Sequence, residues 1–255
     1  MTERMLAAAL LLLLALAALP AAAARAAPRC FPDAAPAITD CVDGRIASFW
    51  EQQGGLPVFG YPIAAQRQEQ TEAGQLAAQR FERARLELHP ENQPPYDVLL
   101  GRLGADLLAR QGRDWAASPK GDPTAPHYFA ETGHAIAPQF WAYWSSHGLE
   151  FDGQAGTSFQ ESLALFGMPL SEAQVETNPT DGKPYLTQWF ERARFELHPE
   201  NAGTPFEVLL GLLQRELDSS GAAPAAAAAP PAAPPQAGGF IQVAGSQLTR
   251  LGQPV

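Results

Sequence analysis

Cysteines, basic side chains and long apolar runs are all scarce in this sequence of 255 residues. The two cysteines, Cys30 and Cys41, are too few for a cysteine-rich zinc site, and no histidine lies near them in the sequence. The 17 Lys and Arg residues against 27 Asp and Glu give a net charge of −10. This acidic balance argues against a nucleic-acid partner, which rewards clustered positive charge. The apolar run at 6–19 has 14 residues, whereas a membrane span needs about 20.

The N-terminus has the three parts of a secretory signal: a basic residue (Arg4), the short apolar run, and small residues at 22–26 that suit cleavage. We therefore predict a signal peptide at 1–27 and a secreted, extracellular or cell-surface protein with no stable membrane span after cleavage. The alternative is that these residues remain as an N-terminal anchor helix. In an oxidising compartment Cys30 and Cys41 are expected to form one structural disulfide.

A motif of 12 residues occurs twice, as FERARLELHPEN at 81–92 and FERARFELHPEN at 190–201, with 11 positions identical. Other blocks match at different offsets. Trp50 pairs with Trp144 at an offset of 94, FGYPI at 59–63 pairs with FGMPL at an offset of 107, and the motif itself repeats at 109. The chain therefore contains two copies of one repeat, which we place at 28–112 and 113–218.

The offset between the copies rises from 94 to 107, so copy 2 carries an insertion of 13 residues between Leu149 and Leu165. Insertions are tolerated in surface loops and rejected in packed elements. The matching blocks are therefore expected to form the scaffold, and the insertion is expected to be a surface loop.

Each copy is predicted to fold as a helix, a tight turn, a β-hairpin and a closing helix, which indicates an α+β module. The first helices are expected near 42–53 and 136–147, with Trp50 and Trp144 in the core. The closing helix of copy 1 is expected near 98–111. Gly60 and Pro62, with their equivalents Gly167 and Pro169, predict the tight turns. Because one copy alone would bury little apolar surface, the two are expected to pack together.

The motif itself predicts a strand. Its alternation places Ala84, Leu86 and Leu88 on one face and Arg83, Arg85, Glu87 and His89 on the other. Phe81, like Phe190 in copy 2, breaks this alternation and predicts a bulge before Ala84.

The polar face of this strand is open to two interpretations. Arg83 and Arg85, with their equivalents Arg192 and Arg194, could bind an anionic polymer or could form ion pairs within the protein; we favour the second. His89 and His198 precede Pro-Glu-Asn, a sequence typical of a turn after a strand. A metal or acid–base site would need more convergent ligands. We therefore expect structural histidines, no metal and no cofactor.

Two tryptophans differ between the copies. The counterpart of Trp189 is Arg80, and Trp115 has no equivalent in copy 1. Exposed aromatic rings can stack on the apolar faces of sugars, whereas burial in the core is the commoner role of tryptophan. Because both residues differ between the copies, they are the candidate ligand contacts if their rings are exposed, and core residues if they are buried.

The repeat resembles the LGFP-type repeats of exported bacterial proteins over about 31–217. The residues that carry the resemblance are Trp50, Gly54, Gly55, Phe59 to Pro62, Gln79 and Phe81, with Trp144, Gly148, Phe166 to Pro169, Gln188 and Phe190 in copy 2. Such repeats accompany cell-wall enzymes, so the resemblance implies attachment to wall polysaccharide. This chain departs from that family because each copy is longer and RxELHPEN replaces a glycine-rich strand.

After the repeats, residues 219–239 are rich in Ala and Pro and predict a disordered linker. Residues 240–255 resemble the hairpin that opens cellulase- and mannanase-type glycoside hydrolases, which implies the start of a truncated domain. Together these patterns predict a monomeric, non-catalytic exported module that binds or spaces cell-wall or other polysaccharide, positioning a fused enzyme. The alternative is the N-terminal accessory part of a secreted glycoside hydrolase whose catalytic barrel lies outside this sequence.

Overall fold

The computed structural model describes residues 27–220, 241–244, 247–250 and 253–254. The predicted signal peptide and linker lie outside these residues, apart from Ala27 at the end of the one and Ser219 and Ser220 at the start of the other. The described part contains six α-helices and four antiparallel sheets, so the predicted α+β class is confirmed. None of the helices in this part is long and apolar enough to cross a bilayer.

Copy 1 begins with a short 3-10 helix at Pro32–Ala34 and two α-helices, α1 (Gly44–Gln52) and α2 (Gly55–Phe59). A four-stranded antiparallel meander follows, formed by β1 (Arg67–Thr71), β2 (Gly74–Arg80), β3 (Arg85–Leu88) and β4 (Val98–Leu100). Helix α3 (Leu103–Arg110) closes the copy.

Copy 2 begins with a small hairpin of β5 (Tyr128–Phe129) and β6 (His134–Ala135), followed by α4 (Pro138–Ser146) and α5 (Phe159–Phe166). Its meander has the same order as that of copy 1: β7 (Gln174–Thr177), β8 (Pro184–Trp189), β9 (Arg194–Leu197) and β10 (Val208–Leu210). A 3-10 helix at Pro199–Asn201 precedes β10, and α6 (Leu213–Ser219) closes the copy. Helix α5 matches α2 at the offset of 107, and its first three residues, 159–161, extend it into the insertion, so only the end of the insertion is helical.

The repeated motif does not form one bulged strand. Arg80 at the end of β2 pairs with Arg85 at the start of β3, and the Phe81 N–H donates to Ala84 O over 2.8 Å. The residues between them make a tight hairpin turn, which replaces the predicted bulge. Phe81 forms an isolated bridge with Pro62 instead. The equivalent bridge in copy 2 joins Phe190 and Pro169, so both phenylalanines tie the Phe-Gly-x-Pro turn to the sheet.

The predicted closing helix of copy 1 begins later than expected. Val98 and Leu100 pair with Leu88 and Leu86, so Val98–Leu100 is a strand and each copy has a four-stranded sheet rather than a hairpin. The buried side chains of Val98 and Leu100 are compatible with an inward-facing strand as well as with one face of a helix. Strand pairing with β3 decides between the two.

The two matched tryptophans hold the turns from inside the core. Trp50 Nε1 donates to Gly60 O over 3.2 Å, and Trp144 Nε1 donates to Gly167 O over 3.4 Å. The two glycines have φ angles of 81° and 76°, in the left-handed region that favours glycine. The tryptophans are 4% and 0% exposed, which confirms that both belong to the core.

The two copies share one hydrophobic core. Its main cluster combines the copy-1 rings Phe49, Trp50, Phe59 and Phe81 with the copy-2 rings Phe140, Trp144, Phe166, Phe190 and Phe195. A second cluster includes Leu103 and Leu107 of α3, Leu213 of α6 and the ring of Trp189. The closing helices of the two copies therefore meet at a common apolar surface.

Backbone hydrogen bonds cross reciprocally between the copies. The Gly104 N–H of α3 donates to Glu191 O over 3.0 Å, and the Gln214 N–H of α6 donates to Glu82 O over 3.2 Å. Gly104 and Gln214 are equivalent positions, and so are Glu82 and Glu191. The contact thus has pseudo-two-fold symmetry, and the first turn of each closing helix finds its acceptor in the other copy.

The predicted disulfide between Cys30 and Cys41 is confirmed. It fixes the segment before α1 beside the sheet, where Gln79 Nε2 donates to Cys41 O over 2.9 Å. In copy 2, Gln188 Nε2 makes the equivalent bond to Ala135 O over 2.7 Å. The disulfide in copy 1 and the β5–β6 hairpin in copy 2 therefore hold equivalent segments in place.

Residues near the C-terminus form a separate three-stranded antiparallel sheet of β11 (Ile241–Ala244), β12 (Gln247–Arg250) and β13 (Gln253–Pro254). Strands β11 and β12 make a hairpin at the place where the second resemblance implies one.

The contact between the copies at Gly104 predicts that a substitution which usually stabilises a helix will be destabilising here. In a helix, Gly→Ala normally stabilises by about 0.5–1 kcal/mol. A Cβ atom at Gly104 would collide with the backbone carbonyl oxygen of Phe190, so we expect Gly104→Ala to lower the free energy of unfolding by about 2 kcal/mol. Urea unfolding followed by tryptophan fluorescence measures this change. A stabilised variant would contradict the close approach of α3 to copy 2.

Candidate binding cleft between the two copies

A cleft of about 420 Å³ lies between the sheet of copy 1 and copy 2. Its volume falls within the range of small-molecule sites. Copy 1 lines it with Arg85, Glu87, His89, Glu91, Tyr96 and Arg102, and copy 2 contributes Leu149, Phe151, Gln160, Glu191 and Arg192. The cleft therefore exists only because the two copies pack together.

Strand β3 supplies a row of paired charges to this cleft. Arg85 Nε donates to Glu87 Oε1 over 2.6 Å, and Arg85 Nη1 lies 3.3 Å from Asp106 Oδ2 on α3. The Arg85 and Glu87 side chains are only 11% and 8% exposed. The row forms ion pairs within the protein, so its arginine is already engaged by carboxylates.

His89 lies between two carboxylates at the end of the row. Its Nδ1 is 2.8 Å from Glu91 Oε1, and its Nε2 is 3.7 Å from Glu87 Oε2. The contact with Glu87 raises the pKa of His89, burial opposes this rise, and Glu91 adds to it. Burial alone would raise the pKa of Glu87, but hydrogen bonds from His89 and Arg85 outweigh it and lower that pKa. The predicted turn is also present, because the Asn92 N–H donates to His89 O.

One wall of the cleft joins the two copies through arginines. Arg102 Nη1 donates to Glu72 Oε2 over 3.2 Å, and Arg102 Nη2 lies 3.1 Å from Glu191 Oε1 of copy 2. From the opposite side, Arg192 Nε donates to Leu100 O over 3.2 Å. The wall is therefore held by bonds running in both directions between the copies.

Two aromatic rings, one from each copy, pack against each other at the cleft. The centroids of Tyr96 and Phe151 are 5.0 Å apart with an interplanar angle of 54°, and both side chains are half-buried. Tyr96 lies in the β3–β4 connection, and Phe151 lies in the insertion of copy 2. Together they bring apolar ring surface beside the charged row.

The inserted segment is anchored to copy 1. Gln53 Nε2 donates to Glu150 O over 2.9 Å, and the Glu150 N–H donates back to Gln53 Oε1 over 2.6 Å. The next residue, Phe151, donates its N–H to Glu161 Oε1 over 2.9 Å. Glu161 also completes a capping box with Ser158 at the start of α5. These bonds fix Phe151 beside Tyr96.

The equivalent row in copy 2 is more tightly closed. Arg194 donates to Glu196 and makes two bonds of 2.8 and 2.7 Å to Glu216, the counterpart of Asp106. The ring of Tyr185 lies over His198 with a centroid distance of 3.9 Å. The side chains of Arg194 and Glu196 are 5% and 4% exposed, against 11% and 8% for Arg85 and Glu87, while the two histidines are buried to the same degree.

The structure places neither candidate tryptophan in the cleft. Trp189 is 1% exposed, and its Nε1 donates to Glu176 Oε2 over 3.0 Å. Arg113 lies over its ring, 5.2 Å from the centroid. An exposed stacking ring at Trp189 is therefore wrong, because the ring fills the interface between the closing helices. Trp115 is half-buried and packs against the same cluster.

Two of the four candidate arginines, Arg85 and Arg192, line the cleft. Arg83 instead directs Nη1 towards Leu56 O over 3.4 Å. Arg194 is buried within copy 2. The pairing of these side chains favours the interpretation as internal ion pairs over an anion-binding row.

Three carboxylates among the described residues could together hold a metal ion: Glu150, Asp152 and Glu161 offer oxygens within 4.8 Å of one another. Glu161 is buried and already accepts hydrogen bonds from the backbone N–H groups of Phe151 and Ser158. In this structure its carboxylate organises the inserted segment.

Sequence reasoning missed the aromatic pair at the cleft. Tyr96 and Phe206 occupy matched positions, and Phe151 lies in the insertion that only copy 2 has. The signal available in the sequence was that a long insertion brings an aromatic residue which the other copy lacks. Its partner could not be found without knowing how the copies pack.

Comparison with known proteins returns no match: no protein-family model, no curated protein and no solved structure is similar to this chain at the level that would show a relationship. The resemblance to LGFP-type repeats therefore stays a prediction.

The raised pKa of His89 predicts a pH dependence of stability. Binding of a proton is favoured in the folded state, so the stabilisation is fully present below the ordinary pKa of 6.5 and is lost as the pH rises through the folded value. We expect the free energy of unfolding to fall across this window, and we expect His89→Gln to flatten that part of the profile. Urea unfolding at a series of pH values tests this. An unchanged slope in the variant would contradict the assignment to His89.

Proposed function

We propose that the chain is an exported, non-catalytic module that binds polysaccharide in the cleft between its two copies. The observation that carries this proposal is the aromatic pair, Tyr96 and Phe151, beside the charged row of β3 in a cleft of about 420 Å³. Aromatic rings offer apolar surface to the C–H faces of sugars. Carboxylates accept hydrogen bonds from hydroxyls, and guanidinium groups donate to them.

The charges around the cleft favour an uncharged polysaccharide over an anionic polymer. Its arginines are 11–21% exposed and bonded to protein acceptors. The side chains of Glu72 and Glu91 at the cleft are 54% and 60% exposed. Carboxylates at the mouth repel an anionic chain, while they can accept hydrogen bonds from sugar hydroxyls.

A binding module of this kind would hold a fused enzyme at the cell wall or another polysaccharide. The signal-like N-terminus supports export, and the resemblance of residues 240–255 to the opening hairpin of glycoside hydrolases supports a role beside such an enzyme. The accessory part of a secreted glycoside hydrolase is therefore a special case of the same binding function.

Retention on insoluble cellulose, chitin and isolated bacterial cell wall tests the proposal. We expect the full chain to be retained by at least one of these, and we expect Tyr96→Ala to weaken retention about tenfold because one stacking ring is removed.

Val175→Ala is the matched control. Val175 is 69% exposed on β7 and does not line the cleft, so this variant should be retained like the unmodified protein. No retention of the unmodified chain by any of the three materials would overturn the proposed function.

A further inference from the structure

We propose that each chain has one polysaccharide site and not two, although the repeat is duplicated, because the insertion of copy 2 builds the site on copy 1 alone. This inference rests on the proposed function and specifies its stoichiometry and its positioning residues. It follows from two independent differences between the copies. One concerns the aromatic residues beside the cleft, and the other concerns the charged row of the sheet.

The first difference is in the surroundings of the matched aromatic residues, Tyr96 and Phe206. Tyr96 of copy 1 is half-buried against Phe151. Its counterpart Phe206 is 63% exposed. Copy 1 lacks the 13-residue insertion, so it has no counterpart of Phe151 to place beside Phe206. A sugar at Phe206 would therefore meet a single exposed ring, whereas at the cleft it would meet the joint surface of two rings that pack against each other.

The second difference is in the side chains that lie over the charged row of each sheet. In copy 2, Asn178 Nδ2 donates to Glu196, and the Tyr185 ring lies over His198. In copy 1 the matched positions hold Thr71 and Leu76. Thr71 donates instead to Gly74 O over 3.0 Å, and the row of copy 1 opens into the cleft.

Copy 2 has a hollow of similar volume, about 420 Å³, but of different construction. Lys183, Pro184, Tyr185, Leu186, Leu197, Pro199 and Glu200 line it. All of them belong to copy 2, so copy 1 contributes none of the lining residues of this hollow. Glu200 Oε1 also lies 2.9 Å from His198 Nδ1. This hollow therefore lacks the pair of contacting rings, one from each copy, that lies at the cleft.

Gln53 is the positioning residue of the site. Its amide makes two hydrogen bonds to the backbone of Glu150, one residue before Phe151. Gln53 is 7% exposed and does not line the cleft, so it would act by holding the inserted segment rather than by touching the sugar. Replacing it with Glu removes the donor and sets a carboxylate against Glu150 O, which should release Phe151.

Isothermal titration calorimetry of the full chain with soluble cello-, chito- and manno-oligosaccharides tests the inference. We expect one ligand bound per chain. Phe151→Ala should weaken binding about tenfold, and Phe206→Ala, the change at the position matched to Tyr96, should leave it unchanged. Gln53→Glu should weaken binding while the stoichiometry stays at one, with unfolding curves confirming that each variant is folded.

Two ligands per chain, or equal losses in Phe151→Ala and Phe206→Ala, would overturn the single site while leaving polysaccharide binding intact. If Phe151→Ala fails to fold, Gln160→Ala provides the second test, because Gln160 lines the cleft from α5 and should weaken binding in the same way. Absence of binding to every oligosaccharide and every insoluble glycan would overturn the proposed function, and this inference with it.

Discussion

The structure depends on the exchange of backbone hydrogen bonds between the two Phe-Glu-Arg-Ala turns and the two closing helices. Gly104 binds the carbonyl of Glu191, and Gln214 binds the carbonyl of Glu82. A lone copy would leave these polar groups without their partners and would expose the rings that meet in the shared core. The pair of copies is therefore the smallest unit that satisfies both requirements.

This pseudo-symmetric frame explains why one insertion has a large effect. The frame brings the second helix of each copy near the sheet of the other, so residues added before α5 extend towards copy 1. Gln53 then bonds to Glu150, and Phe151 comes to lie against Tyr96. Copy 1 has no such addition, and Phe206 is left exposed. A symmetric scaffold thus carries an asymmetric surface.

Much of the framework could be predicted from the sequence because the repeat marks it twice. The tryptophan positions, the glycine turns and the disulfide depend on local patterns, and the structure bears them out at Trp50, Gly60 and Cys30.

The sequence predictions are wrong where tertiary contacts determine the structure. Val98–Leu100 pairs with β3 although its apolar spacing also suits a helix. Trp189 is buried because Arg113 and the closing helices surround it, and its own neighbours in sequence do not reveal this. The cleft needs both copies in place.

Gly104 also limits which segments the two copies could exchange. Repeats in one gene can exchange segments and become uniform again. Here, transferring the start of α6 into copy 1 would place a glutamine side chain where even a methyl group would meet the carbonyl of Phe190. The start of α6 therefore cannot replace the start of α3, although their backbones perform the same task. The reverse exchange, which would place glycine at position 214, adds no atom to the contact between the copies, so the restriction acts in one direction.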